Sequence, residues 1–194
     1  ANNSTNGSSR RINLTGGISG GDGSTLTLQG APTSSQWQYL IMLSPDQEIA
    51  VPIVISNTRD YGSSGNRGVI GVQASNTGLV ISGGITNNTN QGGNQDGNQT
   101  ALGATNGNDL TVTGVISGNQ GIRIQSQQSE NNPAGAGIVT LSAVNTYEGP
   151  TVINNAAAGV LRMGAENAIS NASEIRFGVS GKSGSVGAID LNGF

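Results

Sequence analysis

Aliphatic residues recur at every second position in short bursts along this chain, and the bursts end at glycine. Three of them share one form, aliphatic–x–aliphatic–Ser/Thr–Gly–x–Ile–Ser/Thr: INLTGGIS (Ile12–Ser19), LVISGGIT (Leu79–Thr86) and LTVTGVIS (Leu110–Ser117). A period of two is that of a strand with one buried face, and the glycine that follows lets the backbone turn or approach another strand closely. A second kind of piece puts two apolar residues one apart and then turns: STLTLQG (Ser24–Gly30), GIRIQS (Gly121–Ser126), GVLRMG (Gly159–Gly164) and GAIDLNG (Gly187–Gly193). Helical signal is confined to GAENAISNASEI (Gly164–Ile175), whose Asn and Ser content favours a loop instead. The pattern predicts a chain that is nearly all β.

Composition narrows the architecture. Of 194 residues, 34% are hydrophobic, 3% aromatic and 10% charged, against roughly 45–50% apolar and about 25% charged in an ordinary globular domain. A β-sandwich anchors its core with Trp, Tyr and Phe, whereas the narrow interior of a solenoid fills with stacked Val, Ile, Leu and Ala. The expected fold is therefore an all-β right-handed parallel β-helix over residues 1–194, with the β-sandwich as the alternative. Two regions interrupt the repeats. Ala31–Gly68 holds the single Trp and two of the three Tyr and is expected to be an atypical coil, a cap or an insertion. Thr86–Asn108, a Gly/Asn/Gln tract almost without apolar residues until Leu102, is expected to be a long exposed loop.

Charge excludes more than it suggests. A net charge of −3 with eight Lys and Arg, of which only Arg10–Arg11 are adjacent, lacks the cationic cluster that nucleic acids and anionic membranes require. No apolar run approaches the ~20 residues of a membrane-spanning helix, and ANNSTNGSS lacks the apolar centre of a signal peptide, so a soluble, processed segment is expected. The absence of Cys suits a chain secreted through an oxidising compartment without dictating it.

The C-terminal third carries a family likeness. GIVTLSAVNTYEGPTVINNAAAGVLRMGAENAIS (Gly137–Ser170) resembles the autotransporter-associated β-strand repeat of bacterial surface-protein passenger domains, and the closing AIDLNGF resembles the last phrase of that repeat. LTVTGVISGNQGIRI (Leu110–Ile124) resembles the segment that precedes it, while Ala31–Gly68 departs from the pattern. The resemblance implies passenger-type coils over 137–194 and export to the cell surface, and says little about ligands. Within it, Thr146 and Tyr147 are expected at a corner. Gly149 is expected to supply permissive dihedrals, and Pro150 to open a strand where its missing N–H costs least. Val139, Leu141, Val152, Ile153, Leu161 and Met163 are the expected core, and Ile153–Asn155 is a candidate for an amide ladder between coils.

Catalytic chemistry is poorly supplied. Without His or Cys, and with Lys182 alone in a Gly/Ser-rich turn, nucleophilic triads and thiol chemistry are excluded. Glycosidase chemistry needs two carboxyls roughly 5–9.5 Å apart, and the only close pair in sequence, Asp46 and Glu48, reads as a solvated turn. GKSGSVG (Gly181–Gly187) lacks the phosphate-loop order. SGGDGSTLTL (Ser19–Leu28) approaches a calcium nonapeptide but has Thr25 where Asp is wanted, and NQDGNQ (Asn94–Gln99) offers one carboxylate. No metal and no cofactor are expected. Trp37, Tyr39 and Tyr61 are the candidates for ligand contact, because flat aromatic faces stack on sugars or partner surfaces, although capping an open coil end is the simpler explanation. Asn13, Asn87, Asn98 and Asn171 lie in glycosylation sequons that such an Asn-rich chain contains by composition.

These features predict a non-enzymatic, extracellular or cell-surface structural segment, a passenger stalk or a self-associating fibre subunit. The alternatives are an adhesin for carbohydrate or another partner and a β-helical polysaccharide-active enzyme. Partners are expected to be the chain itself, end to end, and glycans or a host surface; nucleic acid and membrane insertion are not expected. Ile12 and Leu14 near the start and Ile189, Leu191 and Phe194 at the close are the expected self-association edges.

Overall fold

The computed structural model describes residues 10–29, 38–57, 70–74, 78–89, 100–104, 107–124, 137–153, 159–177 and 187–194. Short strands follow one another in circuits. The first holds β1 (Arg10–Leu14) and β2 (Leu26–Gln29), with a single bridge at Ile18 between them. The second holds β3 (Gln38–Met42), β4 (Gln47–Ile49) and β5 (Ile53–Asn57), and the third β6 (Ile70–Ala74), β7 (Leu79–Ile81) and β8 (Ile85–Thr89). The fourth holds β9 (Thr100–Ala104), β10 (Asp109–Val112) and β11 (Ile116–Gly118). Thereafter each circuit has two strands among the described residues: β12 (Ile122–Ile124) with β13 (Ile138–Leu141), β14 (Thr151–Ile153) with β15 (Val160–Met163), and β16 (Ile175–Phe177) with β17 (Ala188–Asp190).

Corresponding strands stack into three sheets. Sheet A runs β1-β3-β6-β9-β12-β14-β16, sheet B β4-β7-β10-β13-β15-β17 and sheet C β2-β5-β8-β11. Every ladder pairing is parallel. That excludes the antiparallel sandwich and makes the chain a parallel β-helix.

Alternation in the sequence becomes columns in space. In sheet B, register stacks Leu79, Leu110, Val139 and Leu161 in one column and Ile49, Ile81, Val112, Leu141 and Met163 in the next. All of these are buried, and with Val152 and Ile153 they include the whole core expected from the C-terminal third. Each such side chain contributes roughly 1.5–3 kcal/mol by leaving water. Sheet A differs: β9, β12 and β14 are buried at every position, so their two faces are both covered. Val152 and Ile153, adjacent in sequence, are both fully buried for that reason.

Two expectations need correction. Thr86–Asn108 is not one exposed loop. Thr86–Thr89 belong to β8 and Thr100–Ala104 to β9, whose five residues are all buried; only 90–99 and 105–106 lie outside the described residues. Register with aliphatic neighbours recruits these polar and small residues into strands that their own composition does not specify. Gly149 does not occupy the left-handed region. It is required by close approach, since a Cβ there would lie 2.2 Å from the Gly121 nitrogen, and a Cβ on Gly121 would lie 1.9 Å from the Pro150 oxygen. Residues 164–174 form consecutive turns, with Asn167 at φ 56°, as the Asn and Ser content of that stretch leads one to expect. Within Ala31–Gly68, the described residues 38–57 carry β3, β4 and β5, one strand for each sheet.

Candidate functional site: a buried corner and two end surfaces

The stretch Asn145-Thr-Tyr-Glu-Gly-Pro-Thr151 takes the path that sheet C follows in earlier circuits, without forming a sheet C strand. Thr146 N–H donates to the Ile116 carbonyl at 2.9 Å and Glu148 N–H to the Gly118 carbonyl at 3.1 Å, so the segment still lies in parallel over β11. Side chains complete the ladder. Asn145 Oδ1 accepts from the Ile116 N–H at 2.7 Å, and its Nδ2 donates to the Ala168 carbonyl at 2.6 Å, linking the circuits on either side. Tyr147 is fully buried; its hydroxyl lies 2.6 Å from Thr151 Oγ1, which lies 2.7 Å from Ser173 Oγ. Burial pushes the Tyr147 phenol above its ordinary value of 10.0, with the Thr151 hydrogen bond opposing it. Such a constellation is a bracing network: its groups bond to one another, with Asn145, Tyr147 and Thr151 buried and Ser173 partly so.

The buried asparagines that join circuits are not those of the expected Ile153–Asn155 ladder, and they bond to backbone groups rather than to one another. Asn154 and Asn155 lie outside the described residues, whereas Asn145 and Asn87 are buried and bridge circuits. Burial also removes the Asn87 sequon as a glycan acceptor in the folded chain, while Asn13 and Asn171 are exposed. Asn98 lies outside the described residues.

The two end surfaces form the other candidate site. Sheet A has β1 at one edge and β16 at the other, and β17 is an edge of sheet B. Ile12, Leu191 and Phe194 are 55%, 59% and 57% exposed, and Leu14 and Ile189 are partly buried against the core. The structure adds Ile175 and Phe177, 44% and 56% exposed, which the sequence reading missed. The alternation in Ile175-Arg-Phe177 was the available signal. Register shows what these residues have in common. Ile12, Leu40, Val72, Leu102, Ile124, Ile153 and Phe177 form one sheet A column from edge to edge. A second column starts at Ile18, bridged to Ile49, runs through Ile81, Val112, Leu141 and Met163, and is extended by Leu191, one residue past the Arg162–Asp190 pair.

The remaining candidates are not brought together. Trp37 and Tyr61 lie outside the described residues, and Tyr39 is placed only as a β3 position between Arg11 and Gly71. Asp46 and Glu48 are both exposed, Asp46 at φ 52°, and the Ser82 hydroxyl donates to Glu48 Oε1. Arg162 Nε donates to Asp190 Oδ2 at 2.8 Å and Arg176 to Glu174 Oε2 at 2.7 Å, and these guanidinium hydrogen bonds hold both carboxyls below their ordinary values. Among the described residues, no group of three or more acidic side chains is placed to hold a metal. Asp22 sits in an exposed turn; Lys182 and Asn94–Gln99 lie outside the described residues. No helix among the described residues is long and apolar enough to cross a membrane. No protein-family model, curated protein or solved structure matches the chain.

Proposed function

We propose that the chain is a non-enzymatic structural segment, a β-helical rod of the passenger-stalk kind displayed outside the cell, and that its end surfaces associate with other copies of itself. One observation carries this reading. Two register columns run through the described strands and finish in apolar residues at both ends, exposed Ile12 and partly buried Ile18 at one end, exposed Phe177 and Leu191 at the other. A second copy stacked head to tail in the same register sets Phe177 over Ile12 and Leu191 over Ile18, so that each column continues across the junction. The outer strands β1 and β16 of sheet A supply the hydrogen bonds of the junction. A head-to-tail contact is heterologous and extends into a fibre when its rotation does not close a ring. The non-enzymatic part is supported by side-chain supply, with no His or Cys in the chain and its buried tyrosine committed to the corner.

Sedimentation velocity of the 194-residue chain across a wide concentration range tests the proposal. Growth with concentration is expected, together with a monomeric Phe177→Asp/Leu191→Asp variant. A wild-type chain that stays monomeric throughout overturns the association.

A further inference from the structure

Where sheet C hands over to sheet A, the same pair of positions recurs in successive circuits. Register places Asn87 beneath Gly118, and the Glu148 N–H bonded to the Gly118 carbonyl places Tyr147 above it. Thr100, Ile122 and Thr151 share one column of sheet A. Asn87 and Thr100 thus stand in their corner as Tyr147 and Thr151 stand in theirs. In the Tyr147 corner the phenol reaches the threonine hydroxyl directly, at 2.6 Å. In the Asn87 corner the shorter side chain does not. Asn87 Nδ2 donates to the Gly121 carbonyl at 3.0 Å, and the Thr100 N–H donates to the same carbonyl at 3.3 Å. Asn87 Oδ1 and Thr100 Oγ1 are buried with no hydrogen-bond partner among the described residues, in side chains that are 0% and 2% exposed.

We infer that this corner is a binding site for a single internal water that bridges Asn87 Oδ1 and Thr100 Oγ1. Two buried oxygens without partners carry a desolvation cost that a bridging water removes. A water with two O–H···O bonds at its near-tetrahedral angle joins oxygens about 4.5 Å apart, which supplies the reach that asparagine lacks relative to tyrosine. It donates one proton to Asn87 Oδ1 and shares a hydrogen bond with the Thr100 hydroxyl, which both donates and accepts. Chemistry selects water over a cation, because two neutral oxygens fall far short of the six to eight ligands of calcium. Above Asn87, Gly118 stays glycine because its φ is 111° and a Cβ would lie 2.2 Å from the Asn87 carbonyl oxygen. The neighbouring corner pairs Gly118 with Ile122, which offers no polar side chain, so the site is confined to one level of the solenoid.

Water–amide cross-relaxation at the Thr100 and Gly121 N–H groups, with oxygen-17 relaxation dispersion to count long-lived internal waters, tests this. The wild-type chain is expected to show a slowly exchanging water at these amides. Thr100→Val, which keeps the shape and removes the hydroxyl, is expected to lose that signal and lower the count by one. Thr151→Val, in the tyrosine corner, is expected to leave it unchanged. Absence of a long-lived water at Thr100 and Gly121 in the wild type overturns the inference, as does an unchanged count in a folded Thr100→Val chain. If that variant does not fold, the wild-type measurement decides alone.

Discussion

Sheet C and the segment that succeeds it follow the same path by different means. From β2 to β11 the inward positions are mostly aliphatic, with Leu26, Ile53, Ile85 and Ile116 in one column, and backbone ladders join the circuits. Over 144–148 and 165–173 there is no sheet C strand, and Asn145 and Tyr147 take the inward positions. The first arrangement asks only for an aliphatic residue of suitable volume, because the ladder is indifferent to side-chain identity. The second asks for particular atoms, since the Asn145 amide must meet an N–H on one side and a carbonyl on the other. Generic hydrophobicity builds the first half; specified hydrogen bonds brace the second.

The largest break in that contrast is Tyr147→Ala, which removes a fully buried aromatic ring together with its hydroxyl and is expected to cost about 3–5 kcal/mol in chemical denaturation. Asn145→Ala is expected to cost about 2–4 kcal/mol, because it strands the Ile116 N–H and the Ala168 carbonyl in a buried setting. Ile85→Val in the aliphatic half, measured the same way, should cost only about 0.5–1.5 kcal/mol. Equal costs for the last two would erase the distinction between the halves.

Tyr147→Phe separates the ring from its hydroxyl and is expected to cost about 1 kcal/mol, since Thr151 keeps its bond to Ser173. It also isolates a titration. A phenol whose folded pKa is raised contributes stability that is intact below pH 10.0 and declines as pH rises from there toward the folded value, because the unfolded chain loses its proton first. Melting curves between pH 9 and 12 should therefore decline more steeply for wild type than for Tyr147→Phe. The smallest effect belongs to the outer face of sheet B, where Arg162 and Asp190 remain over a third exposed. Arg162→Ala should barely move the neutral-pH melting temperature. Its small deficit belongs to pH above 3.8 and fades as pH falls below that, as the depressed Asp190 carboxyl of the wild type takes up its proton.

Strand identity was legible wherever aliphatic residues alternate, as in Leu79–Ile81 and Ile138–Leu141, because a one-sided sheet writes its period directly into the sequence. It was illegible in Thr100–Ala104, where small and polar residues are held by neighbours on either side. The site was less legible than the fold. Asn145 and Asn87 are indistinguishable by local pattern from the many asparagines in turns, and Phe177 shows as an end residue only once its column is followed through seven register positions.

By itself the sequence determined that the chain is β-rich, that its interior is aliphatic rather than aromatic, and that the Val139–Met163 alternation faces inward, because composition and period are local properties. Only the tertiary structure decided which asparagines become internal braces, that Gly149 is needed for close approach rather than for its dihedrals, and which apolar residues finish exposed. Those outcomes depend on which circuit lies above and below a residue. That stacking is set by parallel register between segments some 20–30 residues apart, and no local window contains it.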